Sequence, residues 1–128
     1  VTHDLLGITL GLSICYDLRF PELYRELVLR GATVLAVPAA FTLHTGKDHW
    51  FPLLRARAIE NVCYVLASAQ GGWHTPHRAT YGKSCIIDPW GAVVAQAPEG
   101  EGIAVAELDL AAQAKIRREM PCLEHRRV

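Results

Sequence analysis

Residues 8–37 of the chain read ITLGLSICYDLRFPELYRELVLRGATVLAV. Apolar residues alternate with small or polar ones from Ile8 onward, and this period of two predicts a strand. The alternation ends at Cys15, where a short turn follows. A residue at the carboxyl end of a strand lies where open α/β sheets bind their ligands, so Cys15 is a candidate functional residue.

The same stretch continues with a helix and a second strand. Pro21 suits the first position of a helix and Gly31 suits its C-terminal cap, so the spacing predicts a helix over about 21–30. The run Thr33–Val37 is uninterrupted and contains β-branched residues, which is typical of a strand that is buried on both faces.

The rest of the chain predicts further strands and helices. First come a loop over Pro38–Lys47 and a helix from an N-cap at Asp48 to about Asn61. Next are a strand over Val62–Ala69, a loop over Gln70–Gly82 and a hairpin of Lys83–Asp88 and Ala92–Gln96. The last are a strand over Ile103–Leu108 and a helix over about 110–119 capped by Asp109. This order predicts a mixed α/β fold. About three helices are too few to cover apolar strands on both faces, so we expect exposed apolar area.

Composition and charge narrow the classes of function. The chain has 128 residues, of which 51% are hydrophobic and 20% charged, as in a folded globular domain. Basic and acidic residues number 13 each, so no charge excess favours nucleic acid or a membrane surface as partner. No apolar run reaches the length of a membrane span, and no signal peptide is recognisable. Four cysteines without CxxC spacing favour reduced thiols, and we expect a cytoplasmic protein.

Several motifs match those of one enzyme superfamily. They are SICYDLRFPE at 13–22, PAAFT at 38–42, TG at 45–46, HW at 49–50, RARAIE at 55–60, YG at 81–82 and DPWG at 88–91. On these motifs the chain resembles the nitrilase superfamily of carbon–nitrogen hydrolases over nearly its whole length, and in particular the ω-amidase branch that includes deaminated glutathione amidases. The resemblance implies half of an α-β-β-α sandwich, with a mixed sheet and helices packed on it. Residues 1–128 would be the C-terminal portion of a single domain whose N-terminal half is absent.

The resemblance also implies a reaction. Cys15 matches the family's nucleophile, and the backbone N–H of Tyr16 matches a donor to the oxyanion. The expected reaction is hydrolysis of a small linear amide, of the deaminated glutathione or 2-oxo-ω-amide type, through a cysteine thioester with release of ammonia. This chemistry needs no cofactor.

The general-base glutamate and the lysine of the family lie upstream of the nucleophile. Only 14 residues precede Cys15 here, and none of them is a lysine or a glutamate. The chain begins with Val1, and its one methionine is Met120, so we expect missing upstream sequence. The fragment itself is therefore expected to be inactive.

Three residues match the substrate contacts of the ω-amidase branch. Arg19 suits a substrate carboxylate because its planar fork donates two parallel hydrogen bonds. Phe41 and Thr45, in the predicted loop, would pack on the substrate and hydrogen-bond its polar end. The alternatives are an ion pair of Arg19 with Asp17 or Glu22, and simple loop packing for the other two.

Other interpretations remain open at this point. Cys15 could be a buried small hydrophobe. The substrate could be a nitrile, an N-carbamoyl compound or an acyl-transfer acceptor. The chain could also be a non-catalytic truncated fragment that folds only by oligomerisation, with the segment Gly46–Trp50 in the contact. A homo-oligomer, dimer or higher, is expected in either case, and six histidines without a convincing third ligand do not predict a metal site.

Overall fold

The computed structural model describes residues 1–127. In chain order its elements are β1 (Thr2–Leu5), β2 (Ile8–Leu12), a 3-10 helix (Cys15–Arg19), α1 (Pro21–Leu29), β3 (Val34–Ala36), α2 (Leu43–Asn61), β4 (Tyr64–Ala67), β5 (Gly71–Thr75), β6 (Arg78–Tyr81), β7 (Cys85–Ile87), β8 (Val93–Gln96) and α3 (Leu110–Glu119).

Six strands form one mixed sheet in the order β1-β2-β3-β4-β7-β8. The strands β2, β3 and β4 are parallel, and the pairs on either side of them are antiparallel. This sheet and the three α-helices confirm the predicted mixed α/β fold. Because β2, β3 and β4 run in the same direction, their carboxyl ends meet at one edge of the sheet.

Helices α1 and α2 cover one face of the sheet, and the hydrophobic core lies beneath them. A Cβ at Gly11 would lie 3.1 Å from the Cβ of Leu27, so this glycine lets α1 pack closely on β2. From α2, the fully buried apolar side chains are Trp50, Leu54 and Ala58.

The opposite face of the sheet is apolar and partly exposed. Leu12, Ala36 and Leu66 are neighbours across β2, β3 and β4 on this face. Leu12 is exposed, and Ile14, just beyond β2, is 65% exposed. The expected exposed apolar area is therefore confirmed. A sheet face of this kind is usually covered in a folded protein.

Helix α3 packs at the amino ends of β3 and β4. The buried side chain of Gln113 donates hydrogen bonds to the carbonyl oxygens of Thr33 and Val62, at 2.8 and 2.9 Å. Asp109 accepts the N–H of Ala112 at 2.8 Å and is the N-cap, as the sequence predicted.

Helix α2 begins earlier than predicted, so the prediction of an N-cap at Asp48 is wrong. Thr42 is the N-cap, because its hydroxyl accepts the N–H of Thr45 at 3.4 Å. Pro52 consequently lies in the interior of the helix and not in its first turn. The predicted loop over Pro38–Lys47 is confirmed only for residues 38–42, because residues 43–47 belong to α2.

The predicted loop over Gln70–Gly82 contains the antiparallel hairpin β5–β6. All residues of β5 are exposed, so no alternation of burial marks the strand in the sequence. The hairpin packs on α2 through Tyr81, whose side chain leaves no room for a Cβ at Gly46. This contact explains why a glycine lies within the helix.

Two further differences concern strands. The predicted strand Ile103–Leu108 has no strand partner among residues 1–127, and Ile103 and Val105 are 82% and 77% exposed. Strand β1 was not predicted. It pairs with β2 through a turn at Leu6 and Gly7, both with positive φ, and leucine gives no sequence signal for such a turn.

The assignment of Thr42 as N-cap predicts a difference between two alanine variants. Thr42→Ala should lower the free energy of unfolding by about 1 kcal/mol, because the first turn of α2 loses a hydrogen-bond acceptor. Asp48→Ala should leave it unchanged within a few tenths of a kcal/mol. Urea unfolding of both variants and the parent chain measures this, and the reverse order would contradict the assignment.

Candidate active site

Cys15 is the first residue of the 3-10 helix that follows β2. Its φ is +47°, a left-handed conformation that costs free energy for a residue with a Cβ. The N–H of Cys15 donates to the carbonyl oxygen of Pro38 at 2.8 Å, which joins the turn to the end of β3. Strain of this kind, held by the surrounding structure, is often found at functional sites.

A cavity of about 510 Å³ opens at the carboxyl edge of the parallel strands. We call it the Cys15 cavity, and its lining residues come from the turn after β2 and the segments after β3 and β4. They are Ile14, Cys15, Pro38, Ala39, Ala40, Ser68, Ala69, Gln70 and Ser84. Cys15 is half-buried, so its thiol is not simply a buried hydrophobe.

The turn at Cys15 is stabilised by its own hydrogen bonds. The N–H of Ile14 donates to Oδ2 of Asp17 at 2.9 Å, and the N–H of Asp17 donates to the carbonyl oxygen of Ile14 at 3.0 Å. Among the described residues, the N–H of Tyr16 has no acceptor. This free donor next to the cysteine agrees with the predicted oxyanion role.

The buried guanidinium of Arg57 supports the turn from α2. Its Nη2 and Nε donate to the carbonyl oxygen of Leu18, at 2.7 and 3.1 Å. Arg57 also forms an ion pair with Glu60, three residues further along α2, at 3.0 Å. The contact with Leu18 joins residues that are distant along the chain, so the sequence gives no signal for it.

Arg19 lies among neutral partners. Its guanidinium carbon is 5.4 Å from the ring centre of Tyr16 and 5.2 Å from that of Phe41. Nη1 is 3.3 Å from Nδ1 of His49, which must accept the hydrogen bond because a guanidinium only donates. The ion pair with Asp17 or Glu22 is not formed, so no carboxylate of the described residues compensates the charge of Arg19.

Phe41 and Thr45, the two other predicted substrate contacts, lie in different environments. Phe41 is buried beneath Arg19 and packs on Trp50, with 5.1 Å between the ring centres. Thr45 lies in the first turn of α2 and not in a loop. Its hydroxyl is 2.9 Å from that of Thr42. None of the three predicted substrate contacts, Arg19, Phe41 and Thr45, lines the Cys15 cavity.

The remaining cysteines are not comparable with Cys15. Burial raises the pKa of Cys63 and of Cys85 to about 11, so neither supplies a thiolate near neutral pH. Cys122 is exposed. Cys15 is the half-buried thiol beside a cavity.

The Cys15 cavity contains no acid, base or lysine among its lining residues besides the cysteine itself. Glu22 and Lys47 are exposed, and Glu60 is engaged by Arg57. Within residues 1–127, no three His, Cys, Asp or Glu side chains are grouped closely enough to bind a metal ion. No helix of this part of the chain is long and apolar enough to cross a membrane.

The strained Cys15 and its cavity lie at the carboxyl edge of the parallel strands, where α/β sheets bind their ligands. Residues 2–118 match the carbon–nitrogen hydrolase family, and the chain belongs to this family. The fold is that of the nitrilase superfamily.

The chain is similar to several proteins of this family. It is 60% identical to a deaminated glutathione amidase of Synechocystis sp. over 117 residues, which are 91% of this chain and 43% of that protein. It superposes on the crystal structure of Caenorhabditis elegans NitFhit with a TM-score of 0.94 and 55% identity, over 97% of this chain and 30% of that one. The amidase of Nesterenkonia sp. AN1, with acrylamide added to its active-site cysteine, gives a TM-score of 0.75 and 28% identity, over 94% and 47%. The chain spans less than half of each.

Proposed function

We propose that Cys15 is the nucleophile of an amidase that hydrolyses a small linear amide bearing a carboxylate. The observation that carries the proposal is the strained, half-buried Cys15 beside its cavity at the carboxyl edge of the sheet. Residues 1–128 would form the C-terminal portion of a single carbon–nitrogen hydrolase domain. The exposed apolar sheet face would be covered by the remainder of that domain.

The proposed reaction has two halves. A base outside residues 1–128 takes the proton of the Cys15 thiol, and Sγ attacks the amide carbon. The N–H of Tyr16 stabilises the oxyanion, and the C–N bond breaks as the amine leaves with a proton. Water then cleaves the thioester to release the acid and restore the thiol. The isolated chain is expected to be inactive because the base is missing from its cavity.

The substrate proposal depends on Arg19. A half-buried guanidinium without a carboxylate partner favours an anionic ligand, and a carboxylate can accept two parallel hydrogen bonds from it. The Synechocystis relative is named for its action on deaminated glutathione. The expected release of ammonia applies only to a primary ω-amide. Glutathione is a tripeptide, so hydrolysis of its deaminated form releases a peptide amine.

Localisation and assembly are also proposals. Four free cysteines agree with a reducing, cytoplasmic environment. We propose a homo-oligomer, a dimer or higher, and the segment Gly46–Trp50 exposes Lys47, Asp48 and His49 for a contact while Gly46 and Trp50 are buried. The exposed Leu29 and Ile59, on α1 and α2, offer a further apolar surface.

A chimera tests the function directly. In this chimera the chain replaces the matching 117 residues of the Synechocystis amidase, which supplies the rest of the domain. The purified chimera should hydrolyse deaminated glutathione at a rate within about tenfold of that of the Synechocystis enzyme. Substitutions in a protein core are mostly tolerated when the total side-chain volume is kept. A panel of a nitrile, an N-carbamoyl acid and a primary ω-amide separates the other chemistries. A folded chimera that cleaves none of the amides would overturn the proposal.

A further inference from the structure

A second cavity lies between the first turn of α2 and the β5–β6 hairpin. Its volume is about 450 Å³. Four of its lining residues carry basic or imidazole groups and one is a tryptophan, namely His44, Lys47, His77, Arg78 and Trp73. No aspartate or glutamate is among its lining residues. We call it the basic cavity.

The two permanent cations of this cavity have no carboxylate partner among the described residues. Lys47 and Arg78 form no ion pair, whereas Lys83 nearby is paired with Glu99 at 2.7 Å. The amino end of α2, with its N-cap Thr42 in the lining, adds partial positive charge at the same place. The basic cavity is therefore suited to an anion.

Hydrogen bonds hold the hairpin and the start of α2 together. Nε2 of His74 is 2.7 Å from the hydroxyl of Thr80, and this contact crosses the hairpin. The N–H of Tyr81 donates to the carbonyl oxygen of Phe41 at 2.9 Å. Trp73 is 71% exposed beside the cations, so its ring offers an apolar surface to a ligand. The walls of the cavity are thus fixed relative to each other.

A third cavity, of about 850 Å³, adjoins both of the others. It shares Ala69, Gln70 and Ser84 with the Cys15 cavity, and Leu43, Trp73 and Ala79 with the basic cavity. The nucleophile and the unpaired cations therefore belong to neighbouring parts of one surface.

We propose that the basic cavity binds a second carboxylate of the substrate, on the side of the amine that leaves. The inference rests on the proposed function and deepens it. Arg19 binds the carboxylate of the acyl part, and Lys47 and Arg78 bind the carboxylate of the amine part. Trp73 packs on the chain between the amide and that carboxylate. The substrate class is then an amide with a carboxylate at each end, as deaminated glutathione has.

Binding to the 128-residue chain itself tests the inference without any turnover. The ligands are deaminated glutathione and its C-terminal carboxamide, which lacks the distal charge. Titrations are followed by the indole N–H signal of Trp73 in two-dimensional NMR, in a buffer without phosphate. We expect deaminated glutathione to bind about tenfold more tightly than the carboxamide. The difference should shrink as salt is raised, because exposed charges are screened.

Variants of the cavity give the decisive comparison. Arg78→Gln and Lys47→Gln should each weaken binding of deaminated glutathione about fivefold and leave binding of the carboxamide unchanged. Lys115→Gln is the matched control, since Lys115 is an exposed lysine on α3 whose ion pair with Glu119 spans 3.8 Å. It should change neither affinity.

The outcomes separate this inference from the proposed function. The inference is overturned if the two ligands bind with equal affinity, if neither binds, or if neither cavity variant changes the affinity. This holds whatever the chimera hydrolyses. Inorganic phosphate could instead shift the Trp73 signal while deaminated glutathione binds no more tightly than its carboxamide. That result would identify a site for free anions and would also overturn the inference. A charge-dependent affinity with an inactive chimera would support the inference while the amidase proposal fails.

Discussion

We expect the substitution Cys15→Ser to lower hydrolysis of deaminated glutathione by the Synechocystis chimera about 1,000-fold or more. A serine hydroxyl is a much weaker acid than a thiol, so the base that the Synechocystis part supplies forms far less alkoxide than thiolate. The shapes of the two side chains are nearly the same, so binding and folding should be little affected. Amine release at saturating substrate measures the loss.

Cys122→Ser is the matched control, because it removes an exposed thiol that lies outside the cavity. This variant should keep full activity. In the 128-residue chain, acrylamide should modify Cys15 and Cys122 but not Cys63 or Cys85, whose pKa values are raised by burial. Full hydrolysis by the Cys15→Ser chimera, with an unchanged unfolding temperature, would remove Cys15 from the mechanism.

The position of Cys15 could be predicted because its causes are local. Alternation along residues 8–14 marks the strand, and Pro21 and Gly31 mark the ends of the helix after it. A strand followed by a short turn and a helix brings the intervening cysteine to the edge of the sheet wherever the rest of the chain lies. The positive φ of Cys15 could not be predicted, because it depends on its hydrogen bond with Pro38.

Features that depend on contacts distant in sequence were missed. The HW motif at 49–50 gives His49 no role, yet His49 lies beside Arg19, which is 30 residues away along the chain. Strand β5 of the hairpin is exposed throughout, so no alternation of burial distinguishes its sequence from that of a loop. Gly46 is unfavourable within a helix by its sequence alone, and its place in α2 is explained only by the Tyr81 side chain that packs against it.

The unpaired segment Ile103–Leu108 is a related case. Its alternation predicts a strand, and the alternation of exposed and half-buried residues persists in the structure without a neighbouring strand. Together with the exposed sheet face at Leu12 and Ile14, it leaves two strand-like surfaces without cover. The segment offers backbone groups to a pairing strand, and the sheet face offers apolar side chains to a packed layer, so both are open to contact with a further segment or subunit.

Substitution of Arg19 should change the choice of substrate. We expect Arg19→Gln to lower kcat/KM of the chimera for deaminated glutathione about 100-fold, the usual cost of losing charge-assisted hydrogen bonds to a carboxylate. The value for a primary amide without a carboxylate should fall less than about threefold, because that substrate has no charge for the guanidinium to bind. Arg118→Gln, an exposed position on α3, is the matched control and should change neither value.

Arg19→Lys separates the charge from the planar fork. A lysine keeps the positive charge but cannot donate two parallel bonds, nor keep the contact of Nη1 with His49. We therefore expect an intermediate loss of about tenfold for the carboxylate substrate. If Arg19→Gln lowers kcat/KM equally for both substrates, Arg19 does not recognise the substrate. Its role would then be to support the fold of the turn by packing between the rings of Tyr16 and Phe41.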